Sequence, residues 1–338
     1  MDYQRNYGGK RKDRLKALLC KEYGSPESLV IEEVPAPLLG SADIRIGIKA
    51  CGVNYPDNLM IAGKYQFKPP LPFSPGFELA GEILEIGADV THLQPGQRVA
   101  ATSLFGAMAE EICVPAASAL PIPETMDFVT AAGFTITYGT SYHALKQRAQ
   151  LQPGEILLVL GAGGGVGLTA VELGVLMGAE VWAAASSDAK LELAAGRGAS
   201  RLINYKKVAL REQVKELTAA QGVDIIYDPV GGDLFEDCLR SIAWGGRILI
   251  IGFASGSIPQ ISANLPLLKG SSLVGVFWGT FAQREVEANR QNMSELLHWF
   301  EQGKLRPCIS ATYPLEDAPL AMRALADRQA KGKLVVTI

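Results

Sequence analysis

One stretch, Ile156 to Gly167, constrains the fold of this chain more than any other. Five apolar residues run directly into Gly161-Ala162-Gly163-Gly164-Gly165-Val166-Gly167. An apolar run of this length after the turn Pro153-Gly154 reads as a buried strand. A loop nearly stripped of side chains lets backbone N–H groups approach a pyrophosphate, and the helix that follows adds its positive end. Gly163, Gly164, Gly165, Val166 and Gly167 are therefore the expected cofactor contacts. From Ala162 the spacing fits Gly-x-Gly-x-x-Gly, with alanine in the first place. Leu168, Val171, Leu173, Val175 and Leu176 carry an apolar stripe through a helix ending near Gly178, and a second apolar strand, Val181 to Ala185, follows. Strand, loop, helix and strand come in the order a βαβ unit requires.

The second strand ends at Ser186, about 20 residues past the loop, where a chain selecting NAD places an acid to hold the ribose hydroxyls. Serine there removes a charge that repels a 2′-phosphate. Ser186 and Ser187 can hydrogen-bond such a phosphate, and Lys190 lies one helical turn further on. These residues favour NADPH. Asp188 is the competing acid, and its position at the head of the next helix suits an N-cap.

The chain has 338 residues, 48% hydrophobic and 20% charged, enough for two domains of an ordinary globular protein. A net charge of −3 gives no global attraction to nucleic acid or to an anionic membrane. The basic cluster Arg5, Lys10, Arg11, Lys12 and Arg14 is interrupted by Asp2 and Asp13 and reads as a solvated tail over residues 1–14, without the apolar core of a secretion signal. The uncharged span Ile248 to Leu268 is broken by Gly252, Gly256, Pro259 and Pro266, so it reads as a strand and loop instead of a membrane helix. Cys20, Cys51, Cys113, Cys238 and Cys308 are scattered without metal or disulfide spacing, which fits free thiols in a reducing cytoplasm.

Ile44, Ile46 and Ile48 alternate with polar neighbours, as a half-buried strand does, and Glu78 to Ile86, Arg98 to Ala101 and Glu111 to Val114 follow between turn residues. Short regular strands of this kind predict an antiparallel, barrel-like unit. After Pro153, strands at Ile156 to Leu160, Val181 to Ala185, Arg201 to Ile203, Val223 to Tyr227, Arg247 to Ile251 and Ser272 to Val276 alternate with helices, predicting a doubly wound parallel sheet. Past Gly279 the chain reads as a helix, a short strand and helix, and a last strand at Leu334 to Thr337 that closes the first unit.

Taken together, Gly52-Val53-Asn54-Tyr55-Pro56-Asp57, Gly63-Lys64-Tyr65 through Pro72, Pro75-Gly76-Phe77-Glu78-Leu79-Ala80-Gly81, Pro95-Gly96-Gln97-Arg98-Val99, the glycine loop and Asp228-Pro229-Val230-Gly231-Gly232 resemble the zinc-independent quinone oxidoreductases of the medium-chain dehydrogenase/reductase superfamily. The likeness runs from Lys16 onward. It implies an α/β protein: a GroES-like, partly open β-barrel catalytic domain over residues 15–137 and 279–338, with a Rossmann NADPH-binding domain over 138–278. Zinc-bearing relatives have a cysteine where this chain has Asn54 and Gly-His-Glu where it has Gly76-Phe77-Glu78. Their four-cysteine structural loop corresponds to a segment within Ala100 to Met108 that has no cysteine. No metal is expected, and Cys51 reads as a small buried thiol.

By the same resemblance, Asn54, Asp57 and Thr140 surround the nicotinamide and the substrate oxygen. Asn54 is positioned to donate to a developing enolate or quinol oxygen, and Asp57 either relays protons or orders its loop. Tyr65 and Phe67 are expected as an aromatic wall over a flat substrate. Tyr205, Val230, Gly252-Phe253, Phe277-Trp278-Gly279 and Lys333 complete the cofactor contacts, several at carboxyl ends of parallel strands. His143 sits near Thr140 and reads as structural.

The implied activity is hydride transfer from NADPH to a quinone or related conjugated carbonyl, with the cofactor carrying the difficult chemistry. An enoyl-thioester or 2-alkenal reductase remains open, as does a non-catalytic NADPH-binding protein. The apolar Ser272 to Val276 strand, at the sheet's end in the family, predicts a homodimer.

Overall fold

The structure, a computed structural model, describes residues 13–338. The chain enters as β1 (Arg14–Leu19), antiparallel to β2 (Val30–Pro35). Most of the expected N-terminal tail, residues 1–12, lies outside the described residues. Arg14, assigned to that tail, is instead the first residue of β1, opposite Pro35.

β3 (Asp43–Val53) is long enough to hold two partners along one edge. It is followed by α1 (Tyr55–Ile61), β4 (Glu78–Ile86), β5 (Arg98–Thr102), β6 (Glu111–Pro115) and β7 (Ala119–Pro121). β6 pairs with residues Asp43 to Gly47 of β3, while β4 runs along its other edge. Ile44, Ile46 and Ile48 point into the barrel core with no more than 3% exposure, as their alternation demands. Then α2 (Phe128–Ala132) and α3 (Thr135–His143) lead across to the second sheet.

That sheet holds β8 (Ile156–Leu160), α4 (Gly165–Leu176), β9 (Glu180–Ala185), α5 (Asp188–Ala195), β10 (Arg201–Asn204), α6 (Leu210–Leu217), β11 (Val223–Asp228), α7 (Leu234–Ser241), β12 (Ile242–Ile250), α8 (Asn264–Lys269) and β13 (Ser272–Gly275). The strand order is β10-β9-β8-β11-β12-β13, parallel throughout. The order reverses between β8 and β11, and in such sheets the crevice beyond the carboxyl ends at the reversal takes the ligand. β12 begins five residues before the expected Arg247, because the Trp244-Gly245-Gly246 segment, with Gly245 at φ +72°, is absorbed as a register shift within the strand.

The chain returns through α9 (Trp278–Arg284), α10 (Val286–Glu301), β14 (Ile309–Pro314), α11 (Ala318–Ala326) and β15 (Lys333–Thr337). β15 pairs with Ala50 to Val53 of β3, and β14 pairs with β15 in parallel, so this sheet is not purely antiparallel as expected. Leu315, Ala318, Ala321 and Met322 pack into the barrel core beside Ile44 and Ile46. Met293 and Leu296 of α10 instead pack with Phe134, Tyr138, Leu168 and Val171, on the side of the parallel sheet. Each fully buried side chain of this size contributes roughly 1.5–3 kcal/mol. Glu172 on α4 accepts from the Tyr138 hydroxyl at 2.6 Å and from the Arg306 N–H at 2.9 Å, tying α4 to α3 and to the segment entering β14.

Candidate functional site

A cleft of about 2060 Å³ is lined by residues of both sheets. That exceeds the roughly 300–1,000 Å³ a single small ligand occupies, leaving space for a long ligand and a second molecule. β8 delivers the glycine loop to its floor: Gly161 turns at φ +58°, Gly164 caps α4, and Gly161, Gly164, Gly165, Val166 and Gly167 face the cleft. Gly167 has no room for a side chain, since a Cβ there meets the Gly161 carbonyl oxygen at 2.2 Å. Gly163 does not line the cleft. A Cβ at that position meets Lys190 Cβ at 2.4 Å, so its bareness lets α5 pack against the loop.

Ser186 and Lys190 stand in the cleft with Tyr205, which is hydrogen-bonded to Ser186 and whose hydroxyl burial pushes up. Ser187 occupies the N-cap of α5 and does not line the cleft, differing from its expected cofactor contact. It also displaces Asp188 from that capping position. Asp188 is the first helical residue, with its carboxylate tied to Asn204 Nδ2 at 2.6 Å and to Lys207 Nζ. Lys190 Nζ donates to the Arg328 carbonyl at 2.7 Å, and the Arg328 guanidinium donates to the Ser255 carbonyl at 2.6 Å. Burial and the nearby cations Arg328 and Lys331 hold the Lys190 ammonium below its ordinary pKa. Arg328 lines the cleft beside it, a residue the sequence reading did not single out.

Val230, Gly252, Phe253, Phe277, Trp278 and Gly279 also line the cleft. The Asp228 carboxylate orders this rim by accepting from the N–H groups of Val230 (2.8 Å) and Gly231 (2.9 Å). Trp278 is held by its indole N–H on Asn289 Oδ1 at 3.0 Å.

At the barrel end, Asn54, Tyr65, Phe67, Thr140 and Lys333 share the cleft wall. Tyr65 meets Phe77 edge-on at 5.3 Å, and Phe67 stacks near Phe105, another wall residue absent from the sequence reading. Thr135, also unforeseen, lines the cleft with a buried hydroxyl that has no hydrogen-bond partner among the described residues. Asp57 lies behind the wall, fully buried. Its two oxygens accept from the N–H groups of Asn54 (2.7 Å) and Gly76 (2.9 Å), which fixes the start of α1. Burial pushes this carboxyl up to about 7.

Asn54 differs from its expected role as a free donor. Its Nδ2 donates to the Gly52 carbonyl at 3.1 Å and to Glu78 Oε1 at 3.0 Å, while its Oδ1 accepts from Lys333 Nζ at 2.6 Å. Lys333 also forms a buried ion pair with Glu78, whose second oxygen accepts from the Ile136 N–H at 2.9 Å. Glu78 as the partner of Lys333 was invisible in the sequence. What the sequence does show is an acid opening β4 ahead of the uncharged Leu79-Ala80-Gly81, and in the fold that acid is fully buried.

Cys51 is fully buried with its thiol pushed well up by burial, and no cysteine is in a disulfide among the described residues. His143 stacks on Phe281 at 3.9 Å and shares a hydrogen bond with Gln147, outside the cleft lining. No helix among the described residues is long and apolar enough to cross a membrane.

Residues 40–124 match the alcohol dehydrogenase GroES-like domain family, and residues 165–301 match the zinc-binding dehydrogenase family. The quinone oxidoreductase-like protein 2 homolog of Nematostella vectensis is 41% identical over 95% of this chain and 88% of its own length. The quinone oxidoreductase of Pseudomonas syringae superposes with a TM-score of 0.91 at 28% identity, covering 96% of this chain and all of the other. That of Escherichia coli, solved in complex with NADPH, gives 0.89 at 27% identity over 96% of this chain and 99% of the other. The chain thus belongs to the quinone oxidoreductase family of the medium-chain dehydrogenase/reductase superfamily.

Proposed function

We propose that this protein is a zinc-free oxidoreductase that uses NADPH to reduce a quinone or a related conjugated carbonyl. The observation that carries the cofactor assignment is at the carboxyl end of β9. Ser186, Lys190, Tyr205 and Arg328 face the cleft there, while the competing acid Asp188 is held by Asn204 and Lys207. A 2′-phosphate gains charge-assisted hydrogen bonds in that setting, whereas Asp188, the acid that could hold the ribose hydroxyls of NAD, does not line the cleft. The Gly161–Gly167 loop and the N-terminus of α4 suit the pyrophosphate. Val166, Thr140 and Trp278 are the candidates to frame the nicotinamide, with Val230, Gly252, Phe253, Phe277 and Gly279 along the path between.

The matched family description raises zinc, and the side chains do not suit it. The Lys333 ammonium lies between Asn54 and Glu78, where it repels a second cation, and Phe77 has no donor atom. Among the described residues no three His, Cys, Asp or Glu side chains gather in metal-holding geometry. Bound NADPH supplies two electrons as hydride. The chain supplies position: Tyr65, Phe67 and Phe105 form an apolar wall for a flat guest, and Thr135 and Thr140 offer hydroxyls to the carboxamide or the substrate.

The test is titration with NADPH and NADH followed by turnover with quinones, 2-alkenals and enoyl thioesters. NADPH preference with fastest turnover of quinones or enones is the expected result. Strong turnover of enoyl thioesters with little of quinones shifts the reaction to the alternative reductase. Tight NADPH binding without oxidation by any acceptor leaves a binding protein.

A further inference from the structure

The amide of Asn54 has no N–H left for a substrate. An ammonium has no acceptor and a carboxylate no donor, so Lys333 and Glu78 together fix the amide with its oxygen toward Lys333 and its nitrogen toward Glu78. The Gly52 carbonyl takes the remaining amide hydrogen. Lys333 is the opposite case: two of its three N–H bonds go to Asn54 and Glu78, and the residue lines the cleft while Glu78 and Asp57 do not. The third N–H has no assigned acceptor among the described residues, and unlike the neighbouring Thr135 and Thr140 hydroxyls it belongs to a cation. The residue is 95% withdrawn from solvent, where a charged donor acts far more strongly than in water.

We propose that Lys333 is the catalytic acid that meets the substrate's conjugated oxygen, with Asn54 and Glu78 as the residues that position its ammonium. This rests on the reduction reaction proposed above. The substrate carbon gains a hydride, with both its electrons, from the reduced nicotinamide, which leaves oxidised, and negative charge moves onto the conjugated oxygen. Lys333 hydrogen-bonds that oxygen and passes it a proton, the N–H bond breaking as the O–H bond forms. The resulting amine regains its proton from water in the cleft. Glu78 keeps the buried site neutral while the ammonium is charged, and Asn54 aims it.

Lys333→Met removes the acid but leaves Glu78 buried without its partner, so the result turns on the double variant Lys333→Met/Glu78→Gln, which removes both charges. Folding is followed by thermal unfolding, NADPH affinity by nucleotide fluorescence, and kcat and KM with the best acceptor. The expected result is a folded double variant whose NADPH Kd stays within about threefold of wild type while kcat falls on the order of 100-fold or more, the loss typical when one oxyanion donor is removed. Asn54→Ala should lose less kcat than Lys333→Met. The assignment is overturned if a folded variant lacking Lys333 keeps kcat within about threefold, or if its loss is confined to NADPH affinity. It is also overturned if Asn54→Ala proves the more damaging change. A wild-type chain that reduces no quinone, enone or thioester overturns the reaction and this role together; a working wild type with an active Lys333 variant overturns only the role.

Discussion

Lys190 is the single side chain on which cofactor choice most depends. Its ammonium can exchange the Arg328 carbonyl for a phosphate oxygen, and a hydrogen bond to a charged group contributes about 1.5–3 kcal/mol. Lys190→Ala should therefore weaken NADPH about 10- to 100-fold and NADH about threefold or less, as read by nucleotide fluorescence titration; equal losses refute the phosphate contact. Asp57 carries a second prediction. Its carboxyl, pushed up to about 7 by burial, lies above its unfolded value of about 3.9, so the folded chain holds the proton more tightly. The stability it contributes is fully present below about pH 4 and is lost as pH rises toward 7. Urea midpoints taken across that window should fall more steeply for wild type than for Asp57→Asn, and parallel curves would refute the assignment. Residue type and local spacing made the glycine loop, Ser186 and Lys190 legible. They could not reveal that Asn54, Glu78 and Lys333 meet, because Asn54 follows the end of β3 while Glu78 opens β4 and Lys333 opens β15, and only long-range pairing of those strands brings the three together. Nor could they show Arg328, whose place depends on where the loop before β15 settles.

At the scale of elements, the contact between α4 and its loop tolerates almost no added volume. Gly167→Ala sets a methyl group against the backbone oxygen of Gly161, and neither flexible end can yield. We expect a loss of about 1–3 kcal/mol, the usual cost of forced overpacking, with NADPH binding at least tenfold weaker because the helix start shifts; unchanged melting and affinity would show that the turn relaxes freely. Most strands of the parallel sheet were readable to within a residue or so, since buried parallel strands are short apolar runs between turn signals. β12 was not, because its opening Trp244-Gly245-Gly246 has the composition of a turn and becomes strand only through pairing with β11. β14 lies parallel to β15 for a similar reason: register and direction are decided by what α11 permits, not by alternation.

For the whole molecule, the free edge of the parallel sheet invites a partner. β13 is its terminal strand, and α8 just before it leaves Leu267 76% and Leu268 66% exposed. Such an edge is either protected or paired, and we propose pairing with the same strand of a second copy. Light scattering should then give twice the 36.1 kDa chain mass, and Val274→Lys on β13 should shift the particle toward the single-chain mass; a wild-type mass of one chain refutes it. The two-unit plan was legible in the change from short strands to alternating strands and helices. The allegiance of α10 was not, because its apolar face suits either core and the choice is made by contact with Phe134 and Tyr138.

The bond from Lys190 to the Arg328 carbonyl, with the Arg328 guanidinium on Ser255, stitches the two halves of the protein together at the rim of the crevice. An arriving phosphate competes for the cation that fastens that stitch, so docking undoes the fastening. Loosening the stitch, for instance by removing the Arg328 guanidinium, should therefore quicken arrival and departure alike.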